Sequence, residues 1–168
     1  MSAEPQWVFL IDPSRQQRSG QPPRSAVVGG WYVEPDGTTG RFHANPDYEP
    51  GPDSPTDPLD AALRLAARGE LQAEQLLAVL GEAAFGIAVD DAGAPVVAPA
   101  PDGVPTVLVT SAPAHRARVQ VAAWRDATAA ELSQVLSAEG VDALINPGST
   151  ASMRILAEAL RRATAQVP

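Results

Sequence analysis

The residue types that most often carry chemistry in proteins are sparse in this chain of 168 residues. Its two histidines, His43 and His115, lie far apart and have no second ligand at metal-site spacing. There is no cysteine, which excludes disulfides, thiolate nucleophiles and cysteine-ligated zinc. No serine lies in the Gly-x-Ser-x-Gly pattern of a hydrolase. The sequence therefore predicts no catalytic residue, no metal site and no cofactor.

Two further patterns resemble ligand sites but differ from them in spacing. Gly29 and Gly30 precede Trp31 without the Gly-Lys-Ser/Thr of a phosphate-binding loop, and we expect them to let a strand start or to allow another backbone to approach closely. An acidic cluster lacks the spacing of a twelve-residue calcium loop, so we interpret it as a solvated loop. Its members are Asp47, Glu49, Asp53, Asp57 and Asp60.

Aromatic residues are the remaining candidates for binding. Trp31, Tyr32, Phe42 and Tyr48 lie close together beside a proline-rich acidic loop, and exposed aromatics often anchor protein interfaces. We predict that the region 29–57 faces a protein partner, with Trp31, Tyr32, Asp47 and Tyr48 in contact. Tyr48 and Asp47 are expected to lie outside the core. If Trp31 and Phe42 are instead buried, only Tyr48 is expected to remain outside. Arg116 and Arg118 are further candidate contact residues, and the interface is expected around them if binding survives Tyr48→Ala combined with Asp47→Ala.

Charge and composition exclude other classes of partner. The formal net charge of -8 disfavours nucleic acid and anionic membranes. Every basic residue is an arginine, and alanine, glycine and proline are abundant, as is typical of a GC-rich genome. The N-terminus from Met1 to Pro5 has no leader pattern, and no run of about 18 apolar residues follows. We expect a cytoplasmic protein that does not insert into a membrane.

Short apolar runs between turn residues predict the strands, and apolar residues at helical spacing predict the helices. The strands are expected at 6–11 (a buried strand), 27–34, 39–44, 85–89, 95–98, 106–110 and 141–145. The helices are expected from Pro58 to about Gly69, at 71–83, after a capping box at Thr128–Glu131, and at about 150–165, where Met153, Leu156 and Leu160 face the core. A single helical turn is expected at 112–119.

These elements predict one α+β domain over residues 1–168, with a mixed, mostly antiparallel sheet covered by amphipathic helices. A strand-and-hairpin part is expected at 1–57. The strands near six apolar residues are expected in a single sheet: Trp7, Trp31, Phe42, Ile87, Val107 and Leu144.

The sharpest local motif follows the last predicted strand, at Asn146-Pro147-Gly148. Proline ends the strand, and glycine permits a left-handed turn before the next helix. An asparagine side chain at a strand end also bonds nearby backbone groups. We therefore predict a structural role for Asn146, Pro147 and Gly148, with positive φ at Gly148.

With its preceding strand and basic segment, this motif resembles the SseB N-terminal domain family over about 85–166. The N-terminal part is similar to proteins associated with type VII secretion in Streptomyces-like actinobacteria. That similarity rests on Gly29-Gly30-Trp31-Tyr32, Phe42, Asn45-Pro46-Asp47-Tyr48 and Ser54-Pro55-Thr56-Asp57-Pro58. The resemblance implies an SseB-like α+β fold and no catalytic residue.

Three interpretations remain open. The resemblance implies a non-enzymatic accessory or adaptor, whose protein partner is a type VII secretion component or substrate. A second interpretation is a small-molecule-binding regulatory domain with a pocket near the Asn146–Gly148 turn. The third is an enzyme, which requires His43 or His115 to meet a carboxylate in space.

Overall fold

The computed structural model describes residues 4–15 and 20–166, and it contains helices and mostly antiparallel sheets. The predicted α+β class is therefore confirmed. The chain divides into two compact units, Met1–Asp57 and Pro58–Pro168. The boundary follows the proline-rich connector at the predicted strand-and-hairpin limit, and Pro58 begins a helix, a position that suits its fixed φ. The prediction of a single domain stays a prediction.

The first unit is built on a three-stranded antiparallel sheet. Its strands are β1 (Gln6–Ile11), β2 (Val27–Val33) and β3 (Thr39–Ala44), in the order β1-β2-β3. The predicted hairpin between β2 and β3 is present. Gly37 has a φ of 86° in its turn, and the Asp36 carboxylate accepts the Thr38 N–H at 2.8 Å. Local turn chemistry therefore sets this hairpin.

The prediction that β1 is a buried strand is wrong. Trp7, Val8 and Phe9 are 48%, 45% and 55% exposed. The run has apolar side chains on both faces, a pattern typical of buried strands. However, β1 lies at the edge of a small sheet and has a neighbouring strand on one side only. Its apolar side chains therefore remain open to solvent.

The second unit contains a six-stranded sheet with the order β7-β4-β6-β8-β9 and β5 beside β6. The β6–β8 pair is parallel, and the other pairs are antiparallel. The predicted single sheet is therefore wrong, because the first three strands pair only among themselves before the irregular connector 45–57. The strands are β4 (Ala84–Val89), β5 (Val97–Pro99), β6 (Pro105–Thr110), β7 (Ala123–Thr128), β8 (Asp142–Ile145) and β9 (Met153–Ile155).

Four helices in this unit contribute apolar side chains to a core shared with the sheet: α1 (Pro58–Ala67), α2 (Ala73–Glu82), α3 (Ala129–Glu139) and α4 (Ala157–Ala165). Leu63, Leu80 and Leu160 lie in this core with Ile87 and Val109. The alternate strand residues form a second cluster, which includes Ala88, Leu108 and Leu144. The sheet is therefore covered on both faces. No helix in the described ranges is long and apolar enough to cross a membrane.

The starts of α3 and α4 show where a local sequence signal predicts the first residue of a helix and where it does not. The predicted capping box is present at α3, where the Glu131 N–H donates to Thr128 Oγ1 at 3.2 Å. The predicted terminal helix is partly wrong, because its first residues form β9. Asp142 accepts the Ala157 N–H at 2.9 Å and thus fixes a later helix start. Leu156 is accordingly 52% exposed, not in the core.

Candidate functional site

Side chains of all three strands of the first unit meet on one face of its sheet. Trp7 stacks on Phe9 with ring centroids 6.2 Å apart. Its ring also has edge contacts with Tyr32 at 5.6 Å and His43 at 5.5 Å. We call these four residues the aromatic face. Alternation along β1 places Trp7 and Phe9 on the same side, and the β1–β2 register places Tyr32 opposite Trp7.

The glycines of β2 make room for aromatic rings, Gly30 on the aromatic face and Gly29 on the opposite face of the sheet. Gly30 lies opposite Phe9, and a Cβ atom at this position would lie 2.8 Å from Phe9 Cδ1 and 2.7 Å from the Val8 carbonyl oxygen. A Cβ atom at Gly29 would likewise collide with the Phe42 ring. The expected close approach is therefore present at both positions. A larger residue at Gly30 would push Phe9 away from the sheet.

A cavity of about 560 Å³ opens beside the aromatic face. Its volume lies in the range of roughly 300–1,000 Å³ that is common for binding sites. Trp7, Phe9 and Ile11 contribute apolar wall, and Arg24 and Asp47 contribute opposite charges. The site can therefore hold an apolar group and orient it through a few polar contacts.

Asn45 fixes the polar wall of the cavity. Its side-chain amide donates to the carbonyl oxygens of Arg24 at 3.1 Å and Val27 at 2.9 Å. Its side-chain oxygen accepts the Asp47 N–H at 3.1 Å. The Asn45 side chain thus joins the start of β2 to the turn that follows β3, and it sets the position of Asp47.

Tyr48 anchors the loop that follows. Its hydroxyl lies 2.7 Å from the Pro55 carbonyl oxygen and 3.1 Å from Asp12 Oδ2. Burial, with the nearby Asp12 charge, raises the pKa of Tyr48 to about 12. Tyr48 is in neither cluster of buried apolar side chains, and its part in a partner contact stays a prediction. Its half-buried ring and hydroxyl support the loop.

Asp12 is the acceptor at the centre of this anchor. It is buried and accepts hydrogen bonds from the Ser54 hydroxyl at 2.6 Å and from the Ser14 N–H and hydroxyl at 2.9 and 2.7 Å. Burial alone would raise the pKa of Asp12. The hydrogen bonds from Ser54, Ser14 and Tyr48 outweigh burial, so the pKa lies below its ordinary value.

The predicted contact residues of this unit do not form one surface. Trp31 is half-buried and packs against Phe42 with ring centroids 4.9 Å apart. Because neighbouring strand residues point to opposite faces, Trp31 lies on the other side of the sheet from Tyr32. Tyr32 and Asp47 remain on the side of the aromatic face and its cavity.

The other two predicted contact residues belong to the second unit. The Arg116 guanidinium lies over Gly86, 2.6 Å from Asp126 Oδ1 and 5.7 Å from the centroid of the Trp124 ring. Arg118 is exposed, and its Nη1 lies 3.0 Å from His115 Nδ1. Arg116 is thus held against the sheet, whereas Arg118 is exposed apart from its contact with the buried His115.

The Asn146–Gly148 turn joins the ends of the two parallel strands. Asn146 Oδ1 accepts the Ser111 N–H at 2.8 Å, and its amide donates to the Ser111 hydroxyl at 2.8 Å. Ser111 directly follows β6, and Asn146 directly follows β8. Gly148 has a φ of 76°, which confirms the expected left-handed conformation. Asn146 itself has a φ of 51°.

His115 meets the carboxylate that the enzyme interpretation requires. Its Nε2 lies 3.8 Å from Asp60 Oδ1, and both side chains are almost fully buried. Because a guanidinium only donates hydrogen bonds, the Arg118 contact assigns Nδ1 as an acceptor and leaves the proton on Nε2. Both ring nitrogens therefore face protein groups. This burial favours a structural role over contact with a substrate.

Sequence reasoning missed Trp7 and Phe9 as surface residues, and it did not place His43 beside them. A local signal existed in the pair Gly29-Gly30, because a strand without side chains at two positions leaves space for neighbouring rings. The sequence did not show which strand supplies those rings, since that depends on the β1–β2 register.

No group of three or more metal-binding side chains occurs within residues 4–15 and 20–166. The chain matches no protein-family model, no curated protein and no solved structure.

Proposed function

We propose that the protein is a non-enzymatic accessory or adaptor that binds a protein partner through the aromatic face. One observation carries this proposal: Trp7 and Phe9 are about half exposed and stack beside an open cavity. Large aromatic side chains at the surface bury much apolar area when a partner covers them, and they are common anchors of protein interfaces. Rings that already stack on each other also lose little conformational freedom on binding.

We assign the partner to type VII secretion, as a component or substrate of that system. The support is the resemblance of Gly29–Tyr32, Asn45–Tyr48 and Ser54–Pro58 to proteins associated with that system. Apart from Pro58, which begins the second unit, these segments belong to the same unit as the aromatic face. Gly30 underlies Phe9, and Asn45 and Asp47 shape the cavity wall, so several of the resembling residues support the proposed surface.

The proposal is tested by affinity purification of the tagged full chain from a Streptomyces host, followed by mass spectrometry. The double variant Trp7→Ala/Phe9→Ala is expected to lose the partner, because it removes both exposed rings. Leu156→Ala is the matched control, since Leu156 is similarly exposed at 52% but lies in the second unit.

Type VII components or substrates that are recovered with the parent chain and Leu156→Ala, but not with the double variant, support the proposal. Equal recovery by all three proteins would place the interface elsewhere. Recovery of partners from an unrelated system would overturn the assignment to type VII secretion. Circular dichroism of the double variant checks that both units remain folded.

A second candidate function is a small-molecule-binding regulatory domain at the Asn146–Gly148 turn. The supporting observation is that the Ser149 hydroxyl oxygen is buried without a hydrogen-bond partner, although Asn146 beside it is fully bonded. A polar group bound beside the turn would supply the missing partner of this oxygen. A metabolite that raises the melting temperature of the parent chain, but not that of Ser149→Ala, would support this function.

A further inference from the structure

The hydrogen-bonding direction of β2 follows from its pairing with β3. The Asn45 N–H donates to the Val28 carbonyl at 3.0 Å, while Gly29 lies opposite Ala44. In an antiparallel pair this bond makes Gly29 and Ala44 a non-hydrogen-bonded pair. The backbone N–H and C=O of Gly29 therefore point to β1. Since backbone direction alternates along a strand, those of Trp31 point to β1 as well.

The same alternation defines the free edge of β1. Leu10 lies opposite Gly29 and Val8 lies opposite Trp31, so these two β1 residues bond to β2. The N–H and C=O of Trp7 and Phe9 consequently point away from β2. No strand lies on that side, and within the described residues these groups make no backbone bond outside the β1–β2 pair. Such a row of open groups can pair with another strand.

Trp7 and Phe9 carry both the open backbone groups and two of the four rings of the aromatic face. A strand that pairs with Trp7 and Phe9 places every second side chain on their side of the sheet, where the cavity opens. Main-chain bonds then supply affinity and the cavity selects side chains, which is the general arrangement of strand addition. Pro5 and Pro13 flank β1 and lack an N–H, so the pairing segment is short.

Charge distinguishes between two occupants of this edge. Glu4 precedes β1 and Glu34 follows β2, at the end where Gln6 pairs with Val33. A second copy of the chain would bring another net charge of -8 to an edge that already carries these carboxylates. A segment with a basic residue at this end would instead gain electrostatic attraction.

We propose that β1 receives an extended segment of a partner protein as an added strand. The segment has apolar residues at alternate positions and a basic residue beside Glu4 and Glu34. This inference rests on the proposed function and specifies how the partner is recognised.

The test uses peptides selected on the immobilised full chain from a random twelve-residue phage library and then synthesised. Amide hydrogen exchange is measured by NMR with and without saturating peptide. We expect exchange at Trp7 and Phe9 to slow by at least about tenfold, because their N–H groups become hydrogen-bonded. Val8 and Leu10, which already bond to β2, serve as internal references and are expected to change little.

Two substitutions at one position separate backbone pairing from ring contact. Phe9→Ala removes the ring and keeps the outward N–H, whereas Phe9→Pro removes both. Proline is tolerated at an edge position whose N–H is not used by the sheet. We expect Phe9→Pro to weaken peptide binding at least about threefold more than Phe9→Ala, since one hydrogen bond is worth about 1 kcal/mol.

Peptide binding without protection of Trp7 and Phe9 would overturn strand addition and leave the proposed function standing. Protection that appears without peptide and rises with protein concentration, together with a dimer in light scattering, would show a second copy at β1 and overturn the inference. Failure of the proposed function is recognised separately, by partner recovery that is unaffected in Trp7→Ala/Phe9→Ala.

Discussion

At the scale of single residues, a buried carboxylate and a phenol hold together a segment without regular structure. Asp12 accepts hydrogen bonds from Ser14 and Ser54, and the Tyr48 hydroxyl lies between Asp12 and the Pro55 carbonyl. These contacts join positions about 40 residues apart in the chain. The connector 45–57 is thus ordered by side chains, because its prolines have no backbone N–H and leave the segment with few backbone donors.

Tyr48→Phe tests the tyrosine of this anchor. Its pKa of about 12 means that the folded state holds the phenolic proton more strongly than the unfolded state. This stabilisation is complete below about pH 10 and is lost as the pH rises through 12. We expect a tyrosinate absorbance component near pH 12 in the parent chain and none in Tyr48→Phe. The same high-pH component in both proteins would contradict the assignment, since Tyr32 is the only other tyrosine.

Asp12→Asn tests the carboxylate. Its lowered pKa stabilises the fold above the unfolded pKa of about 3.9, and this stabilisation is lost as the pH falls through the lower folded pKa. We expect Asp12→Asn to reduce the free energy of unfolding at pH 7 by about 1–3 kcal/mol. Tryptophan fluorescence in urea, measured in a Trp124→Phe background, reports on the first unit, because Trp124 is the one tryptophan of the second unit. We also expect the free energy of unfolding to differ less between pH 7 and pH 3 in Asp12→Asn than in the parent chain.

Asp91→Asn is the control for this measurement, because Asp91 is exposed in the second unit. A loss of stability in Asp12→Asn that is as large at pH 3 as at pH 7 would assign the effect to packing, not to the carboxylate charge.

At the scale of elements, local sequence signals predicted the ends of helices and turns well. They predicted less well whether each strand is buried or exposed. The capping box of α3 and the Asp-Gly turn between β2 and β3 depend on residues three or fewer positions apart. The exposure of β1 depends on which strands pair with it, and periodicity does not encode that pairing. The strand β7 was not predicted, because its charged residues Arg125 and Asp126 interrupt the apolar alternation that identifies a half-buried strand.

In the candidate site, too, local backbone features were predicted correctly and the surroundings of the side chains were not. Glycine chemistry in Gly29-Gly30 correctly indicated a close approach, and Gly148 correctly indicated a left-handed turn. The assignment of Trp31 and Tyr32 to one surface is wrong, because adjacent strand residues point to opposite faces. That error could have been avoided from the predicted hairpin alone.

Gly148→Ala tests the turn that links β8 to β9. A φ of 76° is unfavourable for a residue with a Cβ atom, whereas the space is open: the nearest atoms are Arg118 Cβ and Cδ at 3.7 Å. We therefore expect a loss of about 1–2 kcal/mol in the free energy of unfolding from backbone strain alone. Chemical denaturation followed by circular dichroism measures it.

Gly51→Ala is the matched control, because Gly51 does not adopt a positive φ and a Cβ atom there has only an ordinary contact with Ser54 Oγ at 3.4 Å. Equal stability of Gly148→Ala and the parent chain would show that the turn changes conformation without cost.

At the scale of the whole molecule, the apolar cores are distributed unevenly between the two units. Both clusters of buried apolar side chains lie within 58–168, and the larger cluster includes residues of all four helices. The first unit buries few large apolar side chains and relies on the Asp12 contacts and the Asn45 contacts. A chain segment of fewer than about 60 residues has little apolar surface to bury.

We expect residues 58–168, expressed alone, to unfold in one cooperative transition, because no member of their cores is lost. Residues 1–57 alone are expected to be marginally stable. Thermal unfolding followed by circular dichroism, with one-dimensional proton NMR to detect dispersed methyl signals, measures both fragments and the full chain. A fragment 58–168 that shows no cooperative transition, while the full chain does, would establish that the two units fold as the single domain predicted from the sequence. A cooperative transition at the temperature of the full chain would instead make the second unit an independent domain, to which the three-stranded sheet of the first unit is attached.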